Sequence, residues 1–178
     1  MMKWTVTLVL LVLGTACSVA DEQDLGAVST LKVDLDAVVE SGTVQPVDGV
    51  TTAGQPDEAA FQVFADNGYV AVIDIRTAGE DRGVDEAAVV QGLGMDYIQM
   101  PVGGRDGITF ENAEKLNGLI DMYDEPVLVH CGSANRVGAL FALSEFSETG
   151  DLAQALAAGR AAGLTRLEGT VREVLEAQ

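Results

Sequence analysis

Cys131 and Arg136 stand on either side of Gly132, Ser133, Ala134 and Asn135, in the stretch VLVHCGSANR. A thiol reacts as its thiolate, which becomes abundant near neutral pH only where a cation or a helix N-terminus lowers the pKa. The order of residues offers both. The apolar run 127–130 predicts a strand ending just before Cys131, and VGALFAL after Arg136 predicts a helix whose first N–H groups point back at the sulfur. Gly132 and Ala134 keep the turn compact, so that amides can close on an anion as a nest. Arg136 adds a planar fork suited to tetrahedral oxyanions. By spacing alone the pair is a weak signal, and the strand-to-helix junction is what gives it weight. His130, the single His of the chain, has two readings: a core residue bonded to a neighbouring loop, or a substrate-side group that positions or tunes the thiolate.

The chain has 178 residues, enough for one domain with a real core. Its first twenty residues, MMKWTVTLVLLVLGTACSVA, carry one Lys, then a short apolar run and small residues, the layout of a secretory leader. Ser18 and Ala20 fit cleavage before Asp21, giving a soluble periplasmic protein; lipid attachment at Cys17 after Gly14-Thr15-Ala16 is the alternative, giving a lipoprotein. The expectation is export in either case, with Cys131 as the one thiol left without an intrachain disulfide partner. A buried small hydrophobe is the plain alternative for such a Cys. The formal net charge of −18 argues against nucleic acid as a partner, and against a membrane other than through a lipid on Cys17. An anionic substrate would then be held by a local site against the overall field.

The elements that must position this loop follow from patterning. Residues 21–42 read as an acidic spacer with a short helix over 34–40, and the folded domain is expected over 43–178. Asp48-Gly49 predicts a turn between two short strands. Pro56 suits the first position of a helix, with Ala60, Phe61, Phe64 and Ala65 on its apolar face and Gly68 as its stop. Strands are predicted over 69–75, 96–100 and 127–130, and helices over 86–93 and from Thr109, a candidate N-cap. The segments LAQALAAGRAAG and LTRLEGTVREVLEA predict two more helices after the one that follows Arg136. Strands and helices in alternation mean an α/β sandwich with a mainly parallel sheet, whose sites lie at the carboxyl ends of strands, where Cys131 sits. One His and one Cys after the leader do not build a zinc site without several carboxylates. VGGRDG lacks the Lys-Ser/Thr ending of a nucleotide loop. No metal or cofactor is expected.

The ordered set TTAGQPDEAAF, GYVAVIDIRTAGE, YIQMPVGG and VLVHCGSANRVGALFAL resembles the protein-tyrosine-phosphatase-like superfamily, and within it the bacterial beta-lactamase hydrolase-like phosphatase-like domains. The resemblance runs from about Val50 to Leu164 and implies a three-layer sandwich with helices flanking the sheet. It implies that Cys131 is the nucleophile, that Arg136 is the loop arginine, and that Gly132, Ser133, Ala134 and Asn135 form the anion-binding loop. The chain departs from the tyrosine-phosphatase pattern in three ways. The loop has four residues between Cys and Arg instead of five, and Val137 stands where a Ser or Thr commonly assists breakdown of phosphocysteine. The general acid has no fixed place; Asp106, in GGRDG before a helix, is the best candidate, with a solvated turn Asp as the plain alternative. Loop length matches rhodanese-type sulfurtransferases, although the Gly-His-Ile-Pro-Gly stretch of a true rhodanese is missing. Three readings therefore stand: a cysteine-dependent phosphatase acting on a small anionic or phosphorylated substrate, a sulfurtransferase carrying a Cys131 persulfide between a sulfane-sulfur donor and a thiol acceptor, and a non-catalytic anion- or partner-binding domain.

Overall fold

Four short runs form strands; three are buried along their length, as aliphatic and β-branched residues allow on both faces of a parallel sheet, and the fourth, DYIQ, is exposed at both ends. The computed structural model describes residues 30–177. In it the runs are β1 (Val50–Ala53), β2 (Ala71–Asp74), β3 (Asp96–Gln99) and β4 (Val127–His130). All pair in parallel, in the order β1-β4-β2-β3, so β4 is central and buried along its length. The leader expected over 1–20, with both of its processing outcomes, lies outside the described residues. Among the described residues no helix is long and apolar enough to cross a membrane.

Helices cover both faces. On one side α1 (Leu35–Ser41), α2 (Glu58–Asp66) and α3 (Glu86–Gly92) pack with Val72 and Leu128. On the other, α4 (Phe110–Ile120), α5 (Asn135–Thr149), α6 (Leu152–Ala161) and α7 (Glu168–Glu176) pack with Ile73, Ile75, Val127, Val129 and Cys131. This is the three-layer sandwich that the alternation and the resemblance implied. Side chains alternate along a strand, so Val127, Val129 and Cys131 face the α5 layer while Leu128 and His130 face the α2 layer.

Acidic residues start most of the helices. Asp34, Asp57, Asp85 and Asp151 each accept a backbone N–H of the helix that follows, as does Thr109 at α4; such caps contribute about 1 kcal/mol each. The Asp57 cap, 2.8 Å from the Ala60 N–H, sets the first residue of α2 at Glu58, so Pro56 precedes the cap and does not open the helix. Asp48 (φ 49°) and Gly49 (φ 77°) make the expected tight turn, across which Val47 and Val50 exchange two hydrogen bonds. The strand expected before that turn is reduced to this single bridge. Part of the segment read as a spacer is docked on the domain. Val33 N–H donates to the Thr52 carbonyl at 3.0 Å, Lys32 N–H donates to the Ala161 carbonyl at 2.9 Å, and Val38 of α1 is buried.

α5 and α6 cross on two glycines. A Cβ on Gly138 would stand 2.1 Å from the Leu164 nitrogen and 2.5 Å from the Gly159 oxygen, and one on Gly159 would stand 2.8 Å from the Gly138 oxygen. This crossing fixes α5, whose first turn carries Arg136. Gly118, in α4, has nothing within 4 Å of its would-be Cβ. Gly138→Ala is expected to lower the unfolding free energy by about 1–3 kcal/mol through overpacking, whereas Gly118→Ala is neutral or raises it by up to about 1 kcal/mol through helix propensity. Urea denaturation of the two variants beside the parent chain measures both effects; equal stability of the two would remove the crossing as a constraint.

Candidate active site

The strand-to-helix turn after β4 is the centre of the site. Cys131 is buried, and its N–H donates to the Ala53 carbonyl at 3.4 Å, which ties the start of the loop to β1. Ala134 sits in the left-handed region at φ 61° and turns the chain sharply into α5. α5 has no side-chain cap, so its first amides keep their positive partial charge for whatever occupies the loop. Gly54 bridges to Ser133, and a Cβ there would lie 3.6 Å from the Gly132 oxygen, so the residue after β1 lies close under the loop.

Arg136 is held by two elements distant in sequence. Its Nη1 donates to Glu80 Oε1 at 2.7 Å and to the Val102 carbonyl at 3.0 Å, and its Nη2 donates to Glu80 Oε2 at 2.5 Å. These bonds use both Nη1 protons and one Nη2 proton. The Nε–H and the second Nη2–H meet no protein oxygen among the described residues, the Cys131 side chain being the other group that bears on the guanidinium, and they form a second fork. Nη2 lies 4.0 Å from the position of a Cβ on Gly132, which places it against the loop. The Glu80 hydrogen bond drives the Arg136 pKa upward; burial works against it, and the nearby Cys131 adds to the rise. Reciprocally, the Arg136 hydrogen bond takes the lead in holding Glu80 down from its ordinary 4.5 to about 2.

Glu80 is itself fixed. Its Oε1 accepts from the Thr77 N–H at 2.8 Å and the Thr77 hydroxyl at 3.0 Å. Arg82 donates to the Glu80 carbonyl at 3.2 Å, to the Arg76 and Thr77 carbonyls, and through Nε to Asp74 Oδ2 at 3.0 Å. Asp74 belongs to a buried cluster on the α2 side of the sheet. There Arg76 Nε donates to Asp74 Oδ1 at 2.9 Å, Arg76 Nη2 bonds Glu86, Tyr97 donates to Asp74 Oδ2 at 2.9 Å, and His130 Nε2 lies 2.7 Å from Glu86 Oε1. Burial pushes the Asp74 pKa up, but Arg76, His130 and Tyr97 together outweigh it and bring it from 3.8 to about 2. Burial, reinforced by Asp74, pushes Tyr97 up to about 12. Donor atoms of Asp74, Glu86 and His130 lie within 4.8 Å of one another, yet the guanidinium of Arg76 already bridges the two carboxylates.

A cavity of about 490 Å³ opens at the loop, lined by Gly132, Ser133, Asn135, Arg136 and Glu80, together with Gly104, Arg166 and Leu167. Of the residues expected in the site, Gly132, Ser133, Asn135 and Arg136 meet here, with Cys131 and Ala134 buried at the base of the turn. Asn135 lines the cavity and also works as a tether, since its Oδ1 accepts from the Thr165 N–H at 2.8 Å, the Thr165 hydroxyl and the Leu167 N–H. Those bonds keep residues 164–167 out of helix, so α7 begins at Glu168. Asp106 lies in a short 3-10 turn, Arg105–Gly107, exposed and outside the cavity lining, although Gly104 of the same segment reaches it. His130 does not line the cavity. It is fully buried on the opposite face, edge-on to Phe61 with ring centroids 6.2 Å apart. Glu80 and Arg166 are the site residues that sequence reading passed over. Glu80 is 56 positions from the Arg it holds, in a polar loop without periodicity, and Arg166 sits in a linker between helices.

The fold is that of protein-tyrosine-phosphatase-like proteins. A candidate phosphatase of Neisseria meningitidis Z2491 superposes with a TM-score of 0.64 at 22% identity, covering 74% of this chain and 95% of that one. TpbA of Pseudomonas aeruginosa, solved as a Cys-to-Ser variant in complex with phosphotyrosine, superposes with a TM-score of 0.53 at 14% identity, covering 72% and 79%. Within that class, residues 43–148, more than half of the chain, match the phosphatase-like domain of beta-lactamase hydrolase-like proteins, and the chain belongs to this family. A beta-lactamase hydrolase-like protein of Xylella fastidiosa (strain Temecula1) is 37% identical over 97 residues, 52% of this chain and 22% of that protein. Its counterpart in Agrobacterium fabrum (strain C58) is 31% identical over 100 residues, 54% of this chain and 23% of that protein. The match therefore spans less than a quarter of these relatives' length.

The Glu80–Arg136 pair has a pH signature. Below its ordinary value of 4.5 an unfolded chain protonates Glu80, whereas the folded chain refuses the proton until about 2. The stability this confers is complete above 4.5 and is lost as pH falls through about 2; Asp74, lowered from 3.8 to about 2, acts over nearly the same window. Differential scanning calorimetry should show the parent chain losing Tm between pH 4.5 and 2. Glu80→Gln should unfold at lower temperature at pH 7, by about 2–4 °C per kcal/mol lost, with a flatter profile across that window. Parallel profiles for the two would remove the pair as a contributor.

Proposed function

We propose that this chain is a cysteine-dependent phosphatase acting on phosphate monoesters. The observation that carries the reading is the free Nε–Nη2 edge of Arg136, held beside the uncapped start of α5 while Glu80 and Val102 occupy the rest of the guanidinium. Membership of a phosphatase-like family and the fold shared with TpbA support it. In the proposed reaction Cys131 Sγ attacks phosphorus in line with the ester oxygen. Arg136 and the loop amides take the non-bridging oxygens, where charge is held through the transition state. As the P–O bond breaks, Asp106 supplies the proton to the leaving oxygen, which requires the exposed 105–107 turn to come over the cavity. Water then cleaves the phosphocysteine to release orthophosphate. Val137 has no hydroxyl to help this second step, and Ser133, lining the cavity, is the hydroxyl at hand. We place the reaction outside the cytoplasm, on the leader-like pattern of the first twenty residues.

Two observations favour a second reading, sulfur transfer: the loop has four residues between Cys131 and Arg136, and Asp106 stands outside the cavity lining. Here the Cys131 thiolate attacks the sulfane sulfur of thiosulfate, the S–S bond breaks, and sulfite leaves with the electron pair. The persulfide then passes its outer sulfur to a thiol or cyanide. No leaving-group acid is needed.

Parallel assays separate the readings. With phenyl phosphate, whose leaving group is poor, Cys131→Ser is expected to lower kcat at least about 10³-fold, and Asp106→Ala about 10²-fold or more. With 4-nitrophenyl phosphate the Asp106 effect should shrink. Thiosulfate-to-cyanide transfer with a trapped Cys131 persulfide, indifferent to Asp106→Ala and without phosphate release, would replace the first reading by the second. Inactivity in both assays, with Cys131 alkylated no faster than a free thiol, would leave an anion- or partner-binding domain.

A further inference from the structure

The chemistry above makes no use of Arg166. The chain has seven arginines, and Arg76, Arg82, Arg105, Arg136, Arg160 and Arg172 each form an ion pair with a carboxylate. Arg166 forms none among the described residues, in a chain of net charge −18. Its place is built rather than incidental. Asn135 Oδ1 accepts from the backbone N–H groups of Thr165 and Leu167, the residues on either side of Arg166, at 2.8 and 3.3 Å. Gly163, at φ 106°, packs so tightly on Ala134 that a Cβ there would stand 2.5 Å from the Ala134 Cβ. The backbone carrying Arg166 is thus fastened to the anion loop itself, at both Ala134 and Asn135. Arg136 and Arg166 line one cavity of about 490 Å³, a volume suited to a small organic ligand and larger than orthophosphate needs. Leu167 lines the wall beside Arg166.

The geometry points to Arg166 as a specificity-determining residue that holds a second anionic group of the substrate, a carboxylate or a phosphate, while Arg136 holds the phosphoryl group to be cleaved. The preferred substrate is then a small phosphomonoester whose leaving group carries a further negative charge. This rests on the phosphatase reading for the identity of the first anion. A guanidinium with no internal partner gives a second anion a charge-assisted, two-pronged contact, and fixing its backbone in advance lowers the entropy lost on binding. Glu80 is the carboxylate of the same lining, so a second negative charge placed beside it meets repulsion.

Calorimetric titration of the full chain with non-hydrolysable phosphonates tests this independently of turnover. The probes are methylphosphonate, a series of carboxyalkylphosphonates of increasing chain length, and the matching alkylene bisphosphonates. At least one doubly anionic probe is expected to bind about tenfold or more tightly than methylphosphonate, the ratio one charge-assisted hydrogen bond supplies. Arg166→Ala should weaken that probe about tenfold more than it weakens methylphosphonate, with Arg166→Lys restoring part of the difference. Whether the carboxylate or the bisphosphonate arm gains identifies the second anion. Equal affinity for singly and doubly anionic probes, or an Arg166→Ala loss of the same size for both, overturns the role of Arg166 and leaves the phosphatase reading in place. Failure of every phosphonate to bind, together with failure to hydrolyse aryl phosphates, overturns both.

Discussion

One guanidinium organises this molecule's functional end. Arg136 leaves the first turn of α5 and meets a carboxylate from the loop after β2 and a carbonyl from the segment after β3. Three separate parts of the chain are thus set relative to one another by one planar group. An arginine loses about 2 kcal/mol of rotamer entropy when immobilised; here the protein immobilises it beforehand, so an incoming anion need not. The arrangement depends on Glu80 approaching the end of the fork, at Nη1 and Nη2, and leaving the Nε side open. A carboxylate bonded across Nε and Nη2 would have satisfied the charge equally well and blocked the site.

Glu80 can act this way because its loop is anchored in a cluster of buried charge. Burying Asp74, Glu86 and Arg76 completely is not an efficient way to gain stability, since desolvation offsets most of the attraction and apolar replacements are often as stable. What such a cluster does supply is position. Arg82 joins Asp74 to the carbonyls of Arg76, Thr77 and Glu80, and a Leu or Met in its place could not. The line from the sheet to the cavity runs Asp74, Arg82, Glu80, Arg136. His130 joins the same cluster through Glu86, so adjacent residues serve the two layers: His130 braces the loop from behind, and Cys131 packs on the α5 side at the base of the turn.

Of the two readings of His130, the buried core residue is the one the fold contains. Neighbours on a strand face opposite sides, so a buried His130 and a loop-facing Cys131 cannot both address the same anion, and the strand assignment for 127–130 already contained this. The sheet strands, α4 and the strand-to-helix turn were legible because periodicity, apolar runs and cap residues are local signals. Glu80 was not: a single carboxylate in RTAGEDRG has no spacing to betray it, and its partner lies 56 positions away. Arg166 was hidden similarly, in a stretch read as helical until Asn135 takes up the amides that α7 would otherwise have used. Docking of residues 30–42 was missed because their acidity reads as solvation, when Asp34 in fact caps α1.

The chain's negative charge acquires a different meaning once its carboxylates are located. Asp34, Asp57, Asp85 and Asp151 serve helix starts, and Asp74, Glu80 and Glu86 serve the scaffold under the loop. These seven carboxylates serve folding, and the cavity carries two arginines. Arg136 has one edge uncommitted and Arg166 forms no ion pair, so the local sign at the cavity is opposite to that of the whole. At physiological salt the far field decays over about 8 Å, and an anion approaching from solution is repelled at a distance and attracted only on contact. Such a site gains nothing from electrostatic steering. Its discrimination has to come from matched contacts inside the cavity, which is the condition under which a second fixed cation changes which anions are held.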